Sequence, residues 1–255
     1  MKLVDEFAPI RVWALKKGIY DHGDIKTQTL KLQEEVGETF KLRGFVKAEL
    51  FTEKQAELMY KAGFRWLLTG FESGDERILI NIDKNADIAD NTRCINFAKK
   101  AGLKIKALMS VGHAGESKQS IENTKNWLLE TKPDDFDCTI ITTYPGTPYF
   151  DQAVKEDDYY VFSHRKTGDK LYQKNVNYLE EPDYYKGDPD GGYKAYVWTD
   201  FLSSEELVVE RDKLEAEVRE TLKIPFNPAG GVVAFEHSMG QGQILPPSIL
   251  KKSKT

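Results

Sequence analysis

Between Gly44 and Tyr149 short apolar runs alternate with amphipathic stretches of helical length, and this alternation most constrains what the chain can fold into. "FVKAEL" (45–50) reads as a first strand. Thr52 and Gln55 form a capping box for a helix that Gly63 ends. "RWLLTG" is a second strand, followed by a helix capped by Asp90 that runs through Cys94, Phe97 and Ala98 to Gly102. "LKIKALMSV" (103–111) is a third strand. A helix through Ile121, Thr124 and Leu128 stops before Pro133, and "FDCTIIT" (136–142) is a fourth strand. Strands alternating with helices imply parallel pairing through right-handed crossovers. The expected fold class is therefore α/β, a partial (βα) barrel of about four parallel strands where a closed barrel has eight.

The flanks read differently. Residues 3–17 and 24–42 repeat apolar positions at helical spacing (Val4, Phe7, Ile10, Ala14; Leu32, Val36, Phe40), which predicts an α-helical hairpin before the barrel. Residues 150–200 are rich in Tyr, Asp and Gly without a clear period. Ser203 and Glu206 then open a helix that Pro225 stops. The tail from Asn227 is rich in Gly, Pro, Ser and Lys and is expected to be loosely ordered. The domain plan is 1–42, 43–151, 152–226 and 227–255.

A net charge of −5 in 255 residues argues against a general nucleic-acid or membrane-surface binder. No apolar stretch is long enough to span a bilayer, and acids interrupt "MKLVDEFAPI", so a cytoplasmic protein is expected. The two cysteines, Cys94 and Cys138, read as buried small hydrophobes. His22, His113, His164 and His237 lack metal-ligand spacing and read as surface or loop residues. Of these, His113 falls in a strand-end loop. Trp13, Trp66 and Trp127 read as core.

Each strand end carries Gly beside hydrogen-bonding residues. Gly70-Phe71-Glu72-Ser73-Gly74 follows the second strand, "VGHAGES" (111–117) the third, and "TTYPGTPYF" (142–150) the fourth. Ligands of α/β proteins gather at this edge, where side chains and backbone amides of adjacent strands converge. Three aligned loops of this composition point to one shared pocket, although each alone reads rather as a turn and helix cap.

"LTGFESGDERILINIDK", "SVGHAGESKQSIENT" and "TTYPGTPYFD" together resemble the later part of a radical S-adenosylmethionine (SAM) core domain of the kind often preceded by a cobalamin-binding domain. The likeness extends over residues ~43–225. It implies a cofactor pocket in which Glu72, Ser73 and Gly74 lie beside the methionine and ribose of SAM. Val111, Gly112, Gly115 and Glu116 would lie beside the adenine, and Thr143, Gly146 and Thr147 would complete the rim. That family's chemistry begins at a CxxxCxxC loop whose thiolates hold a [4Fe–4S] cluster. No such motif occurs in this sequence, so the resemblance implies a parent enzyme whose radical chemistry this chain does not perform as written.

"WALKKGIYDHGDIKTQTLKLQEEVGE" resembles the start of MazG-type nucleotide pyrophosphohydrolases. Glu34, Glu35 and Glu38 share one helix face, and their hard carboxylate oxygens suit Mg²⁺ on a triphosphate. The second acidic pair of that family is missing, which leaves the metal site incomplete. The junction of the two resemblances falls at Thr39 to Gly44. Three readings follow: a radical SAM-related chain that binds SAM or a nucleotide, a Mg-dependent pyrophosphohydrolase completed by self-association through the hairpin, and a non-enzymatic scaffold that pairs through an open strand edge.

Overall fold

The computed structural model describes residues 42–177 and 194–225. Four strands, β1 (Leu42–Phe45), β2 (Phe64–Glu72), β3 (Lys104–Val111) and β4 (Asp135–Ile140), pair in parallel in the order β1-β2-β3-β4. Helices α1 (Glu53–Lys61), α2 (Glu76–Asn81), α3 (Ile88–Lys100) and α4 (Lys118–Thr131) connect them. The α/β partial barrel expected from the sequence is thus the observed architecture. Each strand has a core face and a concave face, as its period of two dictates. Leu67 and Phe71, Ile105, Ala107, Met109 and Val111, and Phe136, Cys138 and Ile140 are buried in the core cluster. The alternate positions, among them Gly70, Lys106, Ser110 and Asp137, take the concave face.

The helix starts follow their capping chemistry. Thr52 and Gln55 satisfy each other's backbone amides at the start of α1, and Ser117 and Ser120 do so at the start of α4. At α3 the cap is Asp87, with Asp90 three residues inside the helix, which corrects the expectation for Asp90. Starting there brings Ile88 against the core together with the buried Asn91, Cys94 and Ile95. "FVKAEL" is corrected too, because the strand ends at Phe45 and Ala48–Leu50 form a 3₁₀ turn. Ala48 and Phe51 are both buried, and at a spacing of three a turn puts them on one side where a strand would oppose them.

Residues 150–200 hold an unexpected second sheet. After the short helix α5 (Pro148–Asp151), strands β5 (Val154–Glu156), β6 (Tyr159–Ser163), β7 (Lys170–Lys174) and β8 (Val197–Trp198) pair antiparallel in sequence order. Asp157 and Gly168 take left-handed backbone in the two hairpin turns, as tight hairpins require. Helix α6 (Ser204–Leu222), opened by the expected Ser203–Glu206 capping box, crosses the outer side of β4. There Arg211 Nε donates to the Cys138 carbonyl at 2.7 Å and an Arg219 guanidinium nitrogen to the Phe136 carbonyl at 2.9 Å. These donors occupy backbone acceptors that an edge strand would otherwise offer to another chain. Glu215 pairs with both arginines, and Asp212 beside Arg211 and Asp135 beside Arg219 complete the compensation of the buried charges.

Trp127 is buried against Phe71 as expected of a core residue, with ring centroids 5.2 Å apart. Trp66 is half-buried on the concave face, with the Lys104 ammonium 5.4 Å from its ring centroid, so it is not a core residue. His164 is buried rather than on the surface.

Candidate functional site

At the C-terminal end of β2 the sheet register shifts between Gly70 and Glu72. Glu72 there adopts left-handed backbone at φ 67°, a conformation that costs a non-glycine residue about 1 kcal/mol or more. The turn folds the carboxylate back over Gly70. A Cβ at Gly70 would stand 2.5 Å from Glu72 Oε1, so a glycine is needed for this placement. Ser110 Oγ, on the concave face of β3, donates to Glu72 Oε2 at 2.7 Å. Lys84 Nζ donates to the Gly70 carbonyl at 2.6 Å and lies 3.4 Å from Glu72 Oε1. Lys84 reaches this point because α2 ends with Asp83 in left-handed backbone, and the Lys84 amide closes back on the Leu79 carbonyl.

Behind Ser110 lies His113, with Nε2 2.8 Å from Ser110 Oγ and Nδ1 3.4 Å from the Tyr149 hydroxyl. Burial pulls the His113 pKa down to about 4 against the opposing pull of the Glu72 carboxylate, so the imidazole is neutral at physiological pH. Burial likewise raises the Tyr149 phenol above its ordinary value. Glu72, Ser110, His113 and Tyr149 thus join the ends of three strands in one hydrogen-bonded line. The Glu72 side chain remains 31% exposed.

The other predicted residues are placed elsewhere around the edge. Ser73 is buried, with its hydroxyl 3.1 Å from that of Thr124, and Gly74 packs against Thr124 and Trp127 of α4. The Val111 side chain belongs to the core, and Gly112 (φ 91°) packs against Ile140 and Val197. Glu116 is buried and accepts from the Gly112 amide and Ser120 Oγ. Burial pushes its pKa up to about 7 in spite of these bonds. The antiparallel sheet covers this side. The Gly115 amide donates to the Lys170 carbonyl, Thr199 Oγ donates to the Glu116 carbonyl, and Thr143 binds Gln173 through its amide, hydroxyl and carbonyl. Asp169 anchors that cover by accepting from Arg77 and from the buried Asn81. Burial works against the Asp169 carboxylate, but the Arg77 and Asn81 hydrogen bonds overcome it and hold its pKa below the usual range. Gly146 faces open space, and Thr147 Oγ donates to the Tyr144 carbonyl in its own turn.

Sequence reasoning had no role for Ser110, Lys84 or Tyr149. Ser110 and His113 are three apart around a strand end, which is the one local signal available.

No group of three or more His, Cys, Asp or Glu side chains suited to a metal ion occurs among the described residues. Glu34, Glu35 and Glu38, with the helical hairpin around them, lie outside those residues. Cys94 and Cys138 are both buried, and burial raises their thiols to about 11 and about 12. Two protonated core thiols on the helix side of the sheet do not fit a three-thiolate iron–sulfur cluster. The acceptor at Glu72, by contrast, suits the ammonium or ribose hydroxyls of SAM. No helix among the described residues is long and apolar enough to cross a membrane.

Site and fold together define a half-barrel of the α/β class with a part-exposed glutamate at its C-terminal edge. The family model of the radical SAM superfamily matches residues 19–128. An uncharacterized methyltransferase of Pyrococcus horikoshii is 30% identical over 108 residues, covering 42% of this chain and 24% of the relative. The bacteriochlorophyllide d C-12(1)-methyltransferase of Chlorobaculum tepidum is 26% identical over 143 residues, covering 52% and 31%. The chain therefore spans about a quarter to a third of these curated relatives. Among solved structures, the radical SAM methyltransferase TsrM of Kitasatospora setae overlaps with a TM-score of 0.41 at 15% identity, over 48% of this chain and 25% of that one. Methanocaldococcus infernus Elp3 overlaps with a TM-score of 0.43 at 18% identity, over 49% and 34%.

Proposed function

We propose that the concave edge at Glu72 binds S-adenosylmethionine, or a nucleotide sharing its adenosyl group, as the later part of a radical SAM domain of the cobalamin-associated kind. One observation carries this reading. Glu72 is held in strained left-handed backbone, with Ser110 on one oxygen and Lys84 beside the other, yet its carboxylate is not fully enclosed. Strain kept at a half-buried glutamate on this edge supports a binding group over a folding device. Glu72 would accept hydrogen bonds from the ammonium or ribose hydroxyls of the ligand, and Gly70 leaves room for that carboxylate.

The superfamily match begins at residue 19, upstream of the junction expected at Thr39 to Gly44. This supports assigning residues 19–42 to the same domain rather than to a MazG-like hairpin. The methyltransferase relatives support methyl transfer as the reaction of longer proteins that carry this region. The 255 residues hold no cysteine set for a cluster, so this chain alone binds the cofactor without cleaving it reductively.

Isothermal titration of the chain with SAM tests the proposal. Saturable binding that weakens about tenfold or more in Glu72→Gln is expected, the size of one hydrogen bond to a charged group. Absence of binding by the unmodified chain, or unchanged binding by Glu72→Gln, overturns it.

A further inference from the structure

His113 stands where it can set the direction of the Ser110 hydrogen bond that reaches Glu72. An ionised carboxylate only accepts, so the single Ser110 hydroxyl proton goes to Glu72 Oε2 at 2.7 Å. Ser110 Oγ is then an acceptor towards His113 Nε2 at 2.8 Å, and that nitrogen must carry the imidazole proton. Nδ1 is left as an acceptor, with the Tyr149 hydroxyl 3.4 Å away, and the single proton of that hydroxyl is shared between Nδ1 and the Asn81 carbonyl at 3.3 Å. His113 and Ser110 are both buried, so water does not compete for these positions.

The geometry points to His113 as a positioning residue, whose Nε2–H tautomer commits the Ser110 proton to Glu72 and so fixes the carboxylate for an adenosyl ligand. This rests on the proposed SAM-binding role of Glu72. Burial, which lowers the imidazole pKa, keeps the ring neutral with a single N–H, as this assignment requires. Ser110 loses its donor if the ring carries its proton on Nδ1. The hydroxyl is then free to turn to other acceptors, and the carboxylate is no longer held in one rotamer.

Two measurements test the assignment, one of them without ligand. Long-range ¹⁵N–¹H correlation spectra of the histidine-labelled chain, with the His113 signals identified by their loss in His113→Gln, report the tautomer directly. The Nε2–H form is expected, and the Nδ1–H form overturns the proposal whether or not SAM binds. In SAM titrations, Gln at 113 can place an amide N–H near the Nε2 position, whereas Asn reaches only the Nδ1 position. Binding by His113→Gln within about twofold of the unmodified chain is expected, with His113→Asn and Ser110→Ala each about tenfold weaker. Equal losses in the Gln and Asn variants would show a merely structural role. If the unmodified chain does not bind SAM, the binding reading fails by itself and the tautomer still decides the relay.

Discussion

The loops after β2 and β3 look alike in sequence, each with glycines beside hydroxyl and carboxyl groups, but the structure uses their two glutamates in opposite ways. Glu72 is folded back over Gly70 on the concave side and keeps its side chain part-exposed. Glu116 is sealed inside the next loop, where it binds the Gly112 amide and Ser120 and sits beneath the antiparallel sheet. Both satisfy local backbone or side-chain donors, yet only Glu72 does so in strained backbone. A polar residue in a Gly-rich loop is thus informative about ligands when its conformation is unfavourable and its acceptors are not all taken. A buried, well-satisfied glutamate such as Glu116 reports how the loop is built.

Four substitutions separate the two sides. The largest expected effect is that of Asp169→Ala, which removes the anchor of the covering sheet at Arg77 and Asn81. A loss of about 2–3 kcal/mol in denaturant unfolding is expected, with faster amide exchange in β6 and β7. Gly74→Ala follows at about 1–3 kcal/mol, because its Cβ would lie 2.7 Å from Trp127 Cβ and 2.8 Å from Thr124 Cα. Glu116→Gln should change the pH dependence of stability. The folded state keeps a proton on Glu116 up to about pH 7, while the unfolded chain releases it near its ordinary value of 4.5. The unmodified protein therefore loses stability as pH rises through that window, and the variant lacks this slope. His113 contributes the opposite trend, with stability lost as pH falls from 6.5 through about 4, so the difference between the two melting curves isolates Glu116. Gly70→Ala has the smallest effect on stability, because the clash is with a movable carboxylate. Its expected signature is SAM affinity reduced about tenfold with less than about 1 kcal/mol of destabilisation.

Much of the parallel sheet was legible because its signals are local. The capping boxes at Thr52 and Ser203 were read from residues three apart, and three of the four strands from continuous apolar runs. The register of Ala48 with Phe51 was not, because only the buried pocket beside α3 decides between a turn and a strand. The antiparallel sheet escaped notice for a related reason. Its strands are short, β8 has two residues, and its tyrosines serve both faces, so no stretch alternates cleanly. The relay at Glu72 was half visible: Glu72 and His113 stood out as unusual for their loops. Lys84 follows the end of α2 and Tyr149 lies in α5, and neither was given a role from the sequence.

Position 72 also sets folding against retention of the side chain. A library varied at that codon and sorted for protease resistance alone should drift towards Gly and Asn, the residues at ease in left-handed backbone. The same library sorted for ligand capture should return Glu. The interval between those two outcomes measures, in the population of surviving sequences, how much the fold gives up to keep one carboxylate where it is.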